Sequence, residues 1–212
     1  MAILAPTRAV GIAPRDSRAE SHPDIQLLEL CRHGNAGAFE ILFRRYQTYV
    51  YNVCLGMMGN TEDAADITQE TFLRLHRNLD SFRGDSSFGT WLYRVAVNLC
   101  LTELRKKQRS HLQFLEEIRR DEDCDGREEV GPSPEDAIED EAERESVRQV
   151  LSSLPPDYRA VMVLRHYQQL AYEEIAEVLN LSLSQVKTRL FRARKLFKDR
   201  FLQAAAEDAR AL

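Results

Sequence analysis

An all-α chain of two small helical domains joined by an acidic flexible linker is what the sequence predicts, and three observations predict it. Apolar helical periods run long between few breakers, with only nine Gly and seven Pro in 212 residues. Negative charge is concentrated in one place. Residues 116–145 hold fifteen Asp/Glu against four Arg, a net −11 that leaves +6 for the rest of a chain whose total is −5. Residues 170–200, LAYEEIAEVLNLSLSQVKTRLFRARKLFKDR, read as a helix-turn-helix with a strongly basic second helix.

In chain order, residues 1–22 are rich in Ala, Arg and Pro without a sustained apolar core, which predicts a disordered tail rather than a secretory signal. The first domain spans 23–109. Ile25, Leu27, Leu28 and Cys31 begin a helix that stops near Gly34, and a second starts at Ala38 and continues through Tyr46 and Val50 to Gly56. Thr61 is placed to cap a third helix carrying Ile67, Phe72, Leu75 and Leu79, with Asp66, Gln69, Glu70, Arg74 and Arg77 on its other face. After a loop at 81–86, a last helix is expected from Ser87 to Lys107, burying Phe88, Leu92, Val95 or Ala96, and Leu99.

That helix carries a second face, with Trp91, Arg94, Asn98 and Thr102 or Arg105 along it. Rings stack on unpaired bases, cations hold phosphates, and a short amide reads a base edge. Without a partner, the same residues read as ordinary core aromatics and a mid-helix amide. The run Arg105-Lys106-Lys107 also complements the dipole at the helix end.

Residues 110–136 contain Gly126, Gly131, Pro132 and Pro134 and few apolar residues, too little to offset the entropy of ordering, so a mobile linker is expected. The second domain spans 137–203. One helix ends at Pro155-Pro156, the next is Asp157–Tyr167 with Val161, Leu164 and Tyr167 inward, and the helix-turn-helix follows. Its first helix turns Ile175, Ala176 and Leu179 inward, Asn180-Leu181-Ser182 breaks the period, and Val186, Leu190, Ala193 and Phe197 resume it. Ser182 with Gln185 three residues on fits a capping box. Residues 182–200 hold seven Lys/Arg against one Asp, which suits a DNA major groove better than a merely solvated face. Residues 204–212 are expected to be a short tail, with no further C-terminal domain.

Other classes are weakly supported. The four Cys are scattered without a C-x-x-C pair, the five His are isolated, and no run reaches the length of a membrane span. A phosphate-cradling Gly loop and a nucleophile elbow are both missing, so neither an enzyme, a metal site nor a cofactor is expected. The thiols point to a reducing cytoplasm.

FRGDSSFGTWLYRVAVN at 82–98, DITQETFLRLHRNL at 66–79 and LPPDYRAVMVLRHYQQLAYEEIAEVLNLSLSQVKTRLFRAR at 154–194 together resemble bacterial sigma factors. The short two-domain form resembles the extracytoplasmic-function group, with 23–109 as sigma region 2 and 137–203 as sigma region 4. The resemblance implies a monomer that joins core RNA polymerase through its clamp coiled coil and flap, selects promoter DNA, and promotes strand opening. It places Asp66, Gln69, Glu70 and Phe72 against the clamp. Arg74, Phe82, Arg94, Val95 and Asn98 fall to the minus-ten element, with Asn98 and Val95 at a pocket for a flipped base. Tyr172, Glu173, Lys187, Thr188, Arg189, Phe191 and Arg192 fall to the minus-thirty-five element, Arg189 as a phosphate or structural contact. Lys187 stands where many relatives carry Arg, and lysine lacks the planar fork. An anti-sigma partner is implied as well, and the acidic linker would follow the polymerase's RNA exit path. The rival reading is a dimeric helix-turn-helix regulator that binds DNA without polymerase.

Overall fold

The computed structural model describes the backbone of residues 23–118 and 138–211, with side chains over 23–110 and 145–206. The expected tail at 1–22 and most of the expected linker lie outside the described residues. Four helices precede the gap: α1 (Pro23–Arg32), α2 (Ala36–Met58), α3 (Thr61–Arg77) and α4 (Phe88–Ile118), with a 3-10 turn at Leu79–Ser81 between the last two. Four follow it: α5 (Ile138–Ser153), α6 (Pro156–His166), α7 (Tyr172–Leu179) and α8 (Leu183–Ala211). The all-α expectation holds among the described residues.

Several boundaries move, each for a local reason. Helix α2 runs past Gly56 and stops where Gly59 takes φ +82° and its N–H bonds Leu55 O. The cap of α3 is Asn60, whose side chain accepts from Asp63 N–H, so Thr61 is the first helical residue and not the cap. Helix α4 continues eleven residues beyond Lys107, to Ile118, because the Gln, Arg, Leu and Glu residues there are good helix formers. The same propensity carries α8 through Ala204-Ala205-Ala206 to Ala211, where a tail was expected.

The N-terminal helices enclose Leu42, Tyr46, Val50, Val53, Leu75, Phe88 and Leu92, and the buried carboxylate of Asp24 is held by Arg45 and by Tyr46 Oη at 2.6 Å. On α4 the buried apolar side chains are Phe88, Leu92, Tyr93, Ala96, Val97 and Cys100, whereas Val95 and Leu99 are only half-buried. The buried stripe is thus rotated and wider than a single seam, because α4 also packs on α6 and α7. Helix α6 explains why. Its residues 160–164 are all buried, so it is apolar all round and sits between α8 on one side and α2 and α4 on the other. Tyr167, expected inward, is half-buried at the end of that helix. The apolar core is therefore continuous across both groups of helices.

Candidate nucleic-acid interface

The helix-turn-helix is built by two local devices. Asn180 ends α7 in the left-handed region at φ 52°, a conformation an Asn side chain tolerates, and Leu181 N–H closes on Ala176 O at 2.9 Å. Ser182 and Gln185 then form the expected capping box, Ser182 N–H donating to Gln185 Oε1 at 2.8 Å and Gln185 N–H to Ser182 Oγ at 3.2 Å. Val186, Leu190, Ala193 and Phe197 are all buried, which fixes the rotation of α8. Lys187, Thr188, Phe191 and Arg192 consequently face outward, and Phe191 is 72% exposed. Arg189 is turned partly back toward α6, 3.5 Å from Asp157. Tyr172 lies under the Arg165 guanidinium, 5.3 Å from its ring centre, while Glu173 is exposed.

A second surface lies on α4. Trp91, Arg94, Val95, Asn98 and Thr102 follow each other at helical spacing, with Asn98 and Thr102 exposed and the others half-buried. Phe82 is buried, 6% exposed, in an aromatic cluster with Phe88 at 5.7 Å and Trp91 at 5.8 Å. It therefore stands beneath this face instead of projecting from it. Arg32, absent from the sequence-based assignment, holds the loop, its Nη2 donating to Phe82 O at 2.8 Å and Leu79 O at 3.2 Å. No sequence signal marks Arg32, because its partners are carbonyls 47 and 50 residues away.

On α3, Asp66 and Gln69 are exposed and Glu70 is half-buried, but Phe72 is buried against Phe43 at 4.7 Å. Phe72 and Gln69 line a largely apolar groove of about 780 Å3 between α2 and α3, together with Phe39, Phe43 and Tyr51. The sequence carries a trace of this groove, since Phe39, Phe43, Gln47 and Tyr51 recur every four residues. Arg74 pairs with Glu70, so residues assigned to DNA and to a protein partner meet in one ion pair.

Comparison with known proteins gives this geometry a family. The Sigma-70 region 2 model matches residues 42–110, and the Sigma-70 region 4 model matches 144–197. The ECF RNA polymerase sigma factor SigW of Bacillus subtilis is 35% identical over 79% of this chain and 90% of its own length. The chain belongs to the ECF sigma factors. The RNA polymerase sigma-H factor of Pseudomonas aeruginosa is 34% identical over 88% of this chain and 97% of its own. The ECF sigma-E factor of Escherichia coli K12 is 36% identical over 84% and 93%. This sigma factor also shares its fold with CnrH, solved in complex with the cytosolic domain of CnrY. That likeness has a TM-score of 0.61 at 24% identity over 86% of this chain and 99% of CnrH. RpoE of Bartonella quintana, solved with the anti-sigma factor NepR, matches with a TM-score of 0.57 at 19% identity over 78% and 96%. As a sigma factor the protein works in transcription initiation. Among the described residues no helix is long and apolar enough to cross a membrane, and no cluster of His, Cys, Asp or Glu suits a metal ion.

Proposed function

We propose that this sigma factor reads promoter DNA through two surfaces of opposite character while core RNA polymerase holds it by a third. The observation that carries the reading is the outward face of α8, where Lys187, Thr188, Phe191 and Arg192 stand on a helix whose start is capped and whose back is buried. Cations there neutralise phosphates or reach guanine edges, and an apolar ring at Phe191 suits a thymine methyl in the major groove of the minus-thirty-five element. Asn98, exposed above Trp91, Arg94 and Val95, suits an unstacked base of the minus-ten element. A surface that binds only the opened strand shifts the duplex toward opening by differential affinity, so the protein needs no catalytic chemistry. Arg74 adds a backbone contact, and Tyr172 and Glu173 lie beside the duplex.

Asp66, Gln69 and Glu70 around the apolar groove, with Phe72 in its wall, suit the clamp coiled coil: a buried apolar centre with a polar rim is how helices dock. The complex of RpoE with the anti-sigma factor NepR supports an anti-sigma partner for this chain, acting in the cytoplasm on a monomeric factor.

Transcription from genomic promoters with sigma-free core polymerase tests the reading. Asn98→Ala is expected to impair strand opening, read by permanganate reactivity of unpaired thymines, with duplex binding by the second unit nearly unchanged. Equal loss of both would refute the assignment, and a dimer that binds palindromic DNA without polymerase would favour the regulator reading.

A further inference from the structure

Cys54 on α2 and Cys100 on α4 share a thiol–thiol hydrogen bond inside the first unit, and both are completely buried. Thr68 on α3 adds a side-chain hydrogen bond to Cys54. Met57, at 0% exposure, lies three residues beyond Cys54 on α2, a spacing that sets both side chains on one side of that helix. Two packed helices thus supply three sulfur atoms to one dry part of the core. Cys54 is held below its ordinary pKa by the bond from Cys100, and Cys100 is pushed up by the same bond and by burial. A proton is held between the two sulfurs.

Beside them stands a buried cation. Arg159 on α6 is 6% exposed, and its guanidinium donates to the carbonyls of Met57, Ser152 and Leu154. These acceptors are neutral, and its Nε has no partner among the described residues. Burial pulls the guanidinium below its ordinary pKa, while the charge of Cys100 acts in the opposite direction. A buried charge is costly until an opposite one stands near it. An ionised sulfur centre at Cys54 and Cys100 would supply that charge.

We infer that Cys54, Cys100 and Met57 form a binding site for a soft monovalent metal ion of the Cu(I) or Ag(I) class. Thiolate and thioether sulfurs select such ions. The ion takes the place of the shared proton: both thiols lose their protons, two metal–sulfur bonds form, and the Met57 thioether offers a third ligand. One cation with two thiolates leaves a single negative charge, which Arg159 offsets. Harder ions do not suit the place. Zinc takes four ligands and calcium or magnesium a shell of oxygens, and no group of three or more His, Cys, Asp or Glu exists among the described residues to provide them. A bound ion would tie α2, which walls the apolar groove, to α4, which carries Asn98.

Anaerobic titration of the full chain with Cu(I) against a chromophoric chelator tests the site. In a background of Cys31→Ser and Cys124→Ser, Cys54 and Cys100 are the only thiols left. This chain is expected to bind one equivalent, to show only sulfur neighbours in copper X-ray absorption, and to unfold at a higher temperature when loaded. Adding Cys54→Ser or Cys100→Ser is expected to weaken binding more than about a hundredfold, beyond the cost of losing an outer-shell partner. Met57→Leu keeps the core filled and is expected to weaken it severalfold. The absorption spectrum needs no substitution at the pair, so the site stays testable if a serine variant does not fold. Undiminished affinity in both serine variants, nitrogen or oxygen neighbours at the copper, or conversion of the pair to a disulfide with no metal retained would each overturn the site.

Discussion

Arg74 and Glu70 are bound to each other on the exposed side of α3, Arg74 Nε 2.8 Å from Glu70 Oε1. One is expected against DNA and the other against polymerase, so the pair is a junction between two interfaces. Its own contribution to folding is small, because both side chains are substantially solvated and the pair is spaced i,i+4. Glu70→Gln should change unfolding free energy by less than about 0.5 kcal/mol. The same variant should weaken binding to core polymerase, measured by competition with the wild-type factor. A fall in thermal stability that accounts for the lost binding would remove Glu70 from the interface.

The turn of the helix-turn-helix should be the most sensitive local structure in the second unit. Ser182→Ala removes the hydroxyl that accepts from Gln185 N–H, leaving only the bond from the Ser182 backbone N–H to Gln185 Oε1, and should cost about 0.5–2 kcal/mol in denaturant unfolding. Asn180 at φ 52° makes a sharper comparison. Asn180→Val forces a β-branched residue into the left-handed region and should cost about 1–2 kcal/mol, while Asn180→Gly should be close to neutral. Equal behaviour of the two would mean that the turn relaxes out of this geometry.

These local devices were the legible part of the chain. Capping box, turn and the stripe of Val186, Leu190, Ala193 and Phe197 depend on residues within a few positions of each other, and periodicity reports such relations directly. What periodicity does not report is which of several helices covers a given face. The run Ala160-Val161-Met162-Val163-Leu164 has no polar side, a sign of a helix enclosed all round, yet nothing in it names α2 and α4 as the covering helices. For the same reason the single stripe of Phe88, Leu92, Val95 or Ala96, and Leu99 leaves out Tyr93 and Val97, which are buried, and Arg32 carries no sequence signal: its acceptors are backbone carbonyls, which every residue possesses. The resemblance assigns Phe82 to the minus-ten element and Phe72 to the clamp, and the structure seats both inside, one beneath the Asn98 face and the other in the groove wall.

Acidification should loosen the second unit through His166. This imidazole, at the end of α6, has its pKa pushed below the ordinary 6.5, first by burial and then by the charges of Arg194 and Arg165. The unfolded chain therefore binds the proton more readily than the folded one, and stability rises with pH across that interval. The contribution is complete above 6.5 and is lost as pH falls toward the depressed folded value. Unfolding midpoints at pH 7.5 and 5.5 should differ more in wild type than in His166→Gln. An unchanged difference would mean that another group sets the slope.

Which residues of α8 read sequence, and which only hold DNA, is separable by two measurements on one variant series. Phe191 is 72% exposed, so Phe191→Ala should alter stability by no more than about 0.5 kcal/mol. Lys187→Ala and Arg192→Ala, if those side chains contact bases, should each cost about 1–3 kcal/mol of promoter binding and relax selection at one position. Arg189 is anchored beside Asp157, which suits a phosphate contact. Arg189→Ala should weaken all sequences alike and reduce the salt dependence of binding by about one unit of slope. Selection from randomised minus-thirty-five elements, run at two salt concentrations, distinguishes these outcomes. If Lys187→Ala and Arg192→Ala select the same sequences as wild type, the reading face of α8 is not the one carrying Phe191, despite its being the side left open by the buried stripe.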